Sequence, residues 1–501
     1  GRRGMAGAGA TGPASAGPGR GAAAGGRGQA DDEPFRVLEL FAGIGGMRLA
    51  LAYAGIGVDA RAVEFNDQAV AVYAHNFGEV GLVRRDITGL SADWFDRQEC
   101  RIWTMSPPCQ PYTRQGKCRD AQDPRARPLL HIIEVLKQVR TPPDVLVLEN
   151  VQNFERSESC ALLLEALALR GFHWRSFLLS PRQFGFPNAR QRFYLVAKPR
   201  DVPFGRVPQR SAADADAPEC ELHATAPCPG AGAGDAGPIE EPVGTCRACD
   251  REVLLSGAGV DNSHTSPRCA FEVAPVGEFL ESNLGWEGAN KASSSTASPW
   301  AIPESTLQKE SARCFDVVHD GCRHSLCFTK AYGRYIDGTG SVYAMRGRPH
   351  CAEVPSGDYA MRDFLGVLRY FTPREVARLL GFKLRSHLPD GTLPPCDGGR
   401  CLPACTLHMK EQAQAQRVDA NGCRRCVCPP YDLPGISDAA DVVKASRGLW
   451  GLLGNSLNPQ VVALVCHACE VEAALRRPCT SPAPAAAPQD YAGARLAADP
   501  S

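Results

Sequence analysis

The chain has 501 residues with 55 basic against 55 acidic side chains, so no overall charge marks it as a nucleic-acid binder and any such partner must be met by a local basic patch. Apolar residues make up 44% of it, and no run nears the roughly eighteen needed to cross a membrane, which argues against a membrane-spanning helix. The 22 cysteines are scattered through a long chain without a secretory apolar segment, and they read as reduced thiols of an intracellular protein.

Length allows two to four domains, but stretches poor in core-forming residues point to one enzyme body with unstructured additions. Residues 1–33 are mostly Gly, Ala, Arg, Ser and Pro and are expected to be disordered. A transit peptide would share that composition, so organelle targeting stays open. Order begins with the apolar strand Phe35–Phe41, followed by Ala42-Gly43-Ile44-Gly45-Gly46-Met47 and a helical pattern through Leu51. Glycines between strand and helix let backbone amides approach a ligand at a helix N-terminus. About twenty residues on, a second strand ends in Val63-Glu64, where an acid can bind both hydroxyls of a ribose. A third candidate strand end carries Asp86, placed to accept from an adenine amine. Taken singly, Glu64 and Asp86 would serve equally well as helix caps or solvated turn residues.

The stretch Ser106-Pro107-Pro108-Cys109-Gln110-Pro111 follows the apolar run Ile102–Met105. Prolines on both sides bias it toward extended or turn conformations, so Cys109 is expected at a strand end as a nucleophile, the alternative being an exposed loop thiol. A polar loop then carries Arg114, Lys117, Arg119, Arg125 and Arg127, either a solvated face or a lid for phosphates. Helix Leu129–Val139 leads to the strand Asp144–Val151, whose late Glu149 is costly to bury unpaired and is a candidate general acid or hydrogen-bond donor. Helix Ala161–Arg170 and strand His173–Leu179 precede Phe186–Val196, where Arg190 and Arg192 would share a strand face by period two, either on one ligand or as an edge pair in water. The alternation predicts an α/β, Rossmann-like doubly wound sheet over 34–199.

Residues 200–310 turn rich in Pro, Gly, Ala and Ser and read as a low-complexity linker or insertion. Cys246, Cys249, His264 and Cys269 have poor zinc spacing, and no metal site is assigned. Over 311–385 a smaller domain is expected. Its Cys327-Phe328-Thr329-Lys330-Ala331-Tyr332-Gly333-Arg334 interleaves aromatics with cations on a Gly-rich loop, which suits an exposed base or a bland hairpin. A helix then follows with Thr372 as N-cap, Pro373 in the first turn and Glu375 three past the cap. A Cys/Pro/Gly-rich insertion spans 386–436, a helix from Leu449-Trp450-Gly451-Leu452-Leu453-Gly454-Asn455-Ser456 is predicted to run to about Ala474 within 437–478, and 479–501 form an unstructured tail.

In this order FAGIGG, Glu64, Asp86, SPPCQP, Glu149 in ENV, the arginine pair and LLGNSLN resemble the cytosine-5 methyltransferases that use S-adenosylmethionine. Cys327–Thr329, the glycine-rich loop and LRYFTPREVARLLGF are similar to the branch that methylates cytosine 38 of tRNA aspartic acid. The resemblance covers residues 35–200, 314–385 and 445–475. It implies a Rossmann-like methyltransferase sheet with a target-recognition domain, and catalysis by Cys109, Glu149, Arg190 and Arg192. It also implies S-adenosylmethionine contacts at Phe41, Gly43, Gly45, Gly46, Glu64, Asp86, Ile87, Pro108, Asn455 and Ser456. Tyr332, Cys327, Thr329, Lys330, Arg334, Arg114 and Lys117 would meet substrate. A tRNA partner, a weaker DNA activity, a monomer and a cytoplasmic or nuclear location are implied with it. Ala331 and Trp450-Gly451 depart from the branch pattern, while Asn188 in place of glutamine fits it. The competing readings are a DNA cytosine-5 methyltransferase and a non-catalytic nucleic-acid-binding protein of the same fold.

Overall fold

A computed structural model describes residues 33–113, 119–204, 273–281, 298–345, 366–384, 431–433 and 442–477. Arg114, Lys117, the Cys246 group and the cysteines from Cys401 to Cys428 lie outside the described residues.

The central sheet is built from β1 (Phe35–Leu40), β2 (Val58–Glu64), β3 (Leu82–Arg84), β4 (Ile102–Met105), β5 (Val145–Val151), β6 (Phe172–Leu179) and β7 (Arg192–Pro199). Its order is β3-β2-β1-β4-β5-β7-β6, with β1 to β5 parallel and β7 antiparallel to both neighbours. β4 is buried along its whole length and β5 over its first six residues, as befits strands covered by helices on both faces. Those helices include α1 (Gly46–Tyr53), α2 (Asp67–Phe77), α3 (Ala92–Gln98), α4 (Arg127–Gln138) and α5 (Glu158–Leu169). α4 lays Leu129, Ile132, Ile133 and Leu136 on the core as one stripe at helical spacing. The strand order reverses between β1 and β4, and an open sheet of this kind takes ligands in the crevice at that point. Leu40 is paired with Met105, and Met105 with Leu148, so the glycine turn and the Cys109 loop leave the sheet at the level of Glu149, which is still within β5.

A second sheet, β10-β9-β8, combines β8 (Asp316–Val318), β9 (Ser341–Ala344) and β10 (Leu368–Arg369). It shares a continuous apolar core with α1, running through Phe328, Tyr332, Tyr343 and Phe371 to Trp450 and the helix Pro459–Ala468. Two sequence expectations need correction. Within the stretch read as a linker, Val276, Ile302 and Leu307 are fully buried, and Val276 N donates to Cys322 O at 2.8 Å. The long final helix is three: Val442–Gly454, Pro459–Ala468 and Val471–Leu475. It breaks because Asn458 caps the second through the amides of Gln460 and Val461, with Pro459 in its first turn.

Candidate active site

Cys109 lies just past β4, opening a short 3-10 turn, Gln110–Tyr112. It is partly buried, and burial pushes its thiol up; the Arg192 cation opposes that and the Glu149 carboxylate adds to it. Glu149 is buried at the end of β5. Burial raises its carboxyl above the usual range, against the pull of Arg192, Arg190 and the Ser106 hydroxyl. Arg192 opens β7 directly opposite Val151, and its Nε stands 3.4 Å from Glu149 Oε1. Cysteine, carboxyl and guanidinium therefore converge from three strand ends on one partly dry spot.

Arg190 does not share their strand face, because β7 starts only at Arg192. Its side chain is 2% exposed and turns inward, donating from Nη1 to Phe328 O at 3.1 Å and from Nη2 to Gly454 O at 3.0 Å and to Ser456 O. It thus clamps the Cys327 loop to the end of the helix Val442–Gly454. Cys327 sits between both arginines, its Sγ accepting from Arg190 Nη1 at 3.3 Å and from Arg192 Nη2 at 3.8 Å. Nearby, Asn188 is buried and donates to Ser325 Oγ at 3.3 Å and Leu326 O at 3.2 Å.

On the other side of the crevice Phe41, Gly43 and Gly45 have φ of 56°, 54° and 86°. A phenylalanine in the left-handed region is uncommon, and such strain concentrates at ligand sites. Glu64 accepts the amides of Gly43, Phe65 and Asn66 at 2.8–2.9 Å, bridging the glycine turn to the end of β2. Asp86 caps the turn after β3 through Thr88 N at 2.9 Å, with Ile87 buried behind it. A Cβ on Gly46 would stand 3.3 Å from Ser456 Oγ, so the turn at Asn455-Ser456 closes directly on the glycine turn. Pro108 is partly exposed beside Cys109. Two carboxylates at adjacent strand ends, backbone amides and the rings of Phe41 and the 72%-exposed Phe65 form a donor set that fits a nucleoside-bearing cation.

The target-side residues divide. Lys330 and Arg334 are exposed, next to Tyr335 at 69% exposure, and Thr329 is partly buried. Tyr332 is not at the surface: its ring packs between Phe328, Tyr370 and Trp450, and its hydroxyl donates to Ser341 O and accepts from Phe371 N. It supports the loop from below and cannot meet a substrate. Sequence reasoning missed Ser106, which a proline-rich stretch does not single out. It also missed Asp120, which accepts the amides of Glu158 and Ser159 at 2.6 and 3.2 Å and ties the loop after Cys109 to α5. The carbonyls that seat Arg190 carry no sequence signal at all.

The family described as C-5 cytosine-specific DNA methylase matches residues 35–223. The tRNA (cytosine(38)-C(5))-methyltransferase of Bos taurus is 34% identical over 380 residues, covering 72% of this chain and 93% of that protein. The Homo sapiens protein of the same description is 32% identical over 392 residues, covering 72% and 92%. The crystal structure of S. pombe Dnmt2 methyltransferase superposes with a TM-score of 0.54 at 25% identity, covering 88% of this chain and 99% of that one. With its sheet order, its strand-end cysteine and this similarity over nearly the whole length of its relatives, the chain belongs to the C-5 cytosine methyltransferase family, among the tRNA (cytosine(38)-C(5))-methyltransferases.

Proposed function

We propose that the chain methylates C5 of cytosine 38 in the anticodon loop of tRNA aspartic acid, through a covalent bond between Cys109 Sγ and cytosine C6. The observation that carries this reading is the convergence of Cys109, Glu149 and Arg192, with Arg192 Nε 3.4 Å from Glu149 Oε1. C5 of cytosine is a weak nucleophile, so Cys109 adds to C6 as a thiolate and makes C5 an enamine carbon. Glu149, whose carboxyl burial raises toward its protonated form, donates to N3 and accepts from the exocyclic amine, offsetting charge as the adduct forms. Arg192 holds the pyrimidine carbonyl and faces the thiolate. S-adenosylmethionine, when bound, supplies the electrophilic methyl group; Glu64 would hold its ribose, Asp86 and Phe41 its adenine, and the turns at Gly43–Gly46 and Asn455-Ser456 its methionine end. Transfer of the C5 proton to solvent lets the C5–H electron pair form the C5=C6 bond as the C6–S bond breaks, which releases Cys109 as thiolate and completes the cycle. Arg190 acts by seating the Cys327 loop.

A base must leave its stack to reach Cys109, and an anticodon loop makes that cheaper than a duplex does. Exposed Lys330, Arg334 and Tyr335 offer cations and a ring to such a loop. The test is methyl transfer to unmodified tRNA aspartic acid and to duplex DNA, with Cys109→Ala beside the wild type and bisulfite sequencing of the products. Methylation at position 38 that vanishes in the variant supports the reading. Methylation of DNA alone overturns the substrate, and cofactor binding without transfer to either overturns the reaction.

A further inference from the structure

Glycines contribute no side chains to hold the cofactor-facing turn in shape. Phe41, Gly43 and Gly45 all take positive φ, and Gly45 stands at the N-cap of α1 with nothing to close the helix. Part of what fixes the turn comes from far along the chain. Phe77, the last residue of α2, lies so close beneath it that a Cβ on Gly45 would run into its ring. The Ile44 carbonyl accepts from Tyr431 Oη at 2.8 Å, and on the other side of the same peptide unit Gly45 N donates to Ala42 O at 2.8 Å. Both polar atoms of that plane are engaged, so it cannot rotate without breaking a hydrogen bond.

Tyr431 lies 387 residues from Ile44 and arrives as part of Tyr431-Asp432-Leu433. Its ring is fully buried against Phe77 and Phe382, and its amide donates to Lys383 O at 3.0 Å. Asp432 is anchored to α2 through its backbone, its N–H donating to Asn76 Oδ1 at 2.7 Å and its C=O accepting from Asn76 Nδ2 at 2.9 Å. Its carboxylate accepts from Arg374 Nη1 at 2.9 Å and faces His75 Nε2 at 3.5 Å, while Arg374 also pairs with Glu281 at 3.2 Å. Leu433 is buried behind it. A tripeptide held this firmly by backbone and side chain presents the Tyr431 hydroxyl to the turn in one fixed place.

We propose that Tyr431 is a positioning residue for the cofactor: its hydroxyl holds the Ile44–Gly45 peptide so that the first turn of α1 is aimed at the methionine end of S-adenosylmethionine, and Asp432 and Leu433 seat it there. This rests on the assignment of the glycine turn to that end of the cofactor. Without the hydroxyl, the Ile44 carbonyl loses its buried partner and its peptide turns away in a share of the molecules. Those molecules bind poorly, and the apparent affinity falls by the fraction that stays competent. The strut meets the glycine turn, α2 and the helix Pro373–Leu379 rather than the strand ends that carry Cys109, Glu149 and Arg192, so the effect falls on cofactor affinity rather than on the chemical step.

The test uses the full chain carrying Tyr431→Phe, which keeps the ring and removes the hydroxyl. Calorimetric titration with S-adenosylhomocysteine should show binding about tenfold weaker, as for a turn competent in roughly one molecule in ten. KM for S-adenosylmethionine should rise by a like factor, with a much smaller fall in kcat and the same affinity for tRNA aspartic acid. In the cofactor-free protein, hydrogen exchange should quicken over residues 42–48. Asp432→Ala, which unseats the strut and leaves Tyr431 intact, should weaken binding in the same direction. The double variant should lose less than the product of the two factors, because both act through one contact. Unaltered exchange over 42–48 overturns the proposal, and so does a lower unfolding midpoint with unaltered affinity. Glu64→Ala distinguishes the two ways of failing: weaker binding there beside wild-type binding in Tyr431→Phe overturns the strut alone, whereas wild-type binding in both overturns the placement of the cofactor as well.

Discussion

Burial sets the pH limits of the chemistry at single side chains. Burial raises the Cys109 thiol, so its thiolate gains population as pH rises; burial raises the Glu149 carboxyl too, and its proton is lost as pH rises. The profile of kcat/KM should therefore be bell-shaped, and Glu149→Gln, which cannot lose a proton, should abolish its alkaline limb. The two arginines should part company: Arg190→Lys removes a fork that spans three carbonyls and should cost about 3 kcal/mol of stability. Arg192→Lys should lower kcat while leaving the urea midpoint nearly unchanged. A third buried group, Glu39, accepts from Tyr73 Oη and Arg48 N at 2.9 and 3.1 Å beneath the glycine turn, and burial raises it from 4.5 to about 7. It takes up a proton on folding, so its contribution to stability is complete below 4.5 and is lost as pH rises through about 7. Glu39→Gln should flatten that part of the stability curve, measured by urea unfolding at successive pH values. Cys109 and Glu149 were legible because prolines and an acid closing an apolar run are local signals. Arg190 was not, since whether period two applies depends on where pairing with β5 begins.

Among the elements, the helix Pro373–Leu379 was the most fully written in its own residues. Thr372 accepts from Glu375 N, the Glu375 carboxylate returns to Thr372 N, and that carboxylate also forms a fully buried pair with Arg369 at 2.7 and 2.8 Å. Thr372→Ala should cost about 1 kcal/mol in chemical unfolding. Arg369→Met should cost about 4 kcal/mol, because it strands a buried carboxylate. What the residues of the helix Val442–Gly454 do not show is why position 454 is glycine: a Cβ there would come within 2.2 Å of Lys330 N, in backbone more than a hundred residues away. Gly454→Ala should destabilise by about 2 kcal/mol and slow methyl transfer, since the displaced loop carries Cys327.

At the scale of the whole molecule, the alternation of strands and helices gave the sheet away through residue 199, while the second sheet has strands of only two to four residues and little periodicity to read. The packed stretches around Val276 and Ile302 escaped notice because a few apolar anchors disappear into an average dominated by Pro, Gly and Ser. The span of the clamp on Arg190 also bears on synthesis. Its acceptors at Gly454 and Ser456 lie 264 and 266 residues downstream, so a nascent chain carries all seven strands of the central sheet and Cys109 long before this clamp can close. Loop closure grows only by about 0.6 kcal/mol for each doubling of length, so inserted sequence between these partners delays assembly more than it weakens the product. Residues 1–240 and 241–501 made as separate polypeptides should each lack methyl transfer and regain it on mixing. The Arg190 clamp thus waits for the last helices rather than for the completion of the sheet.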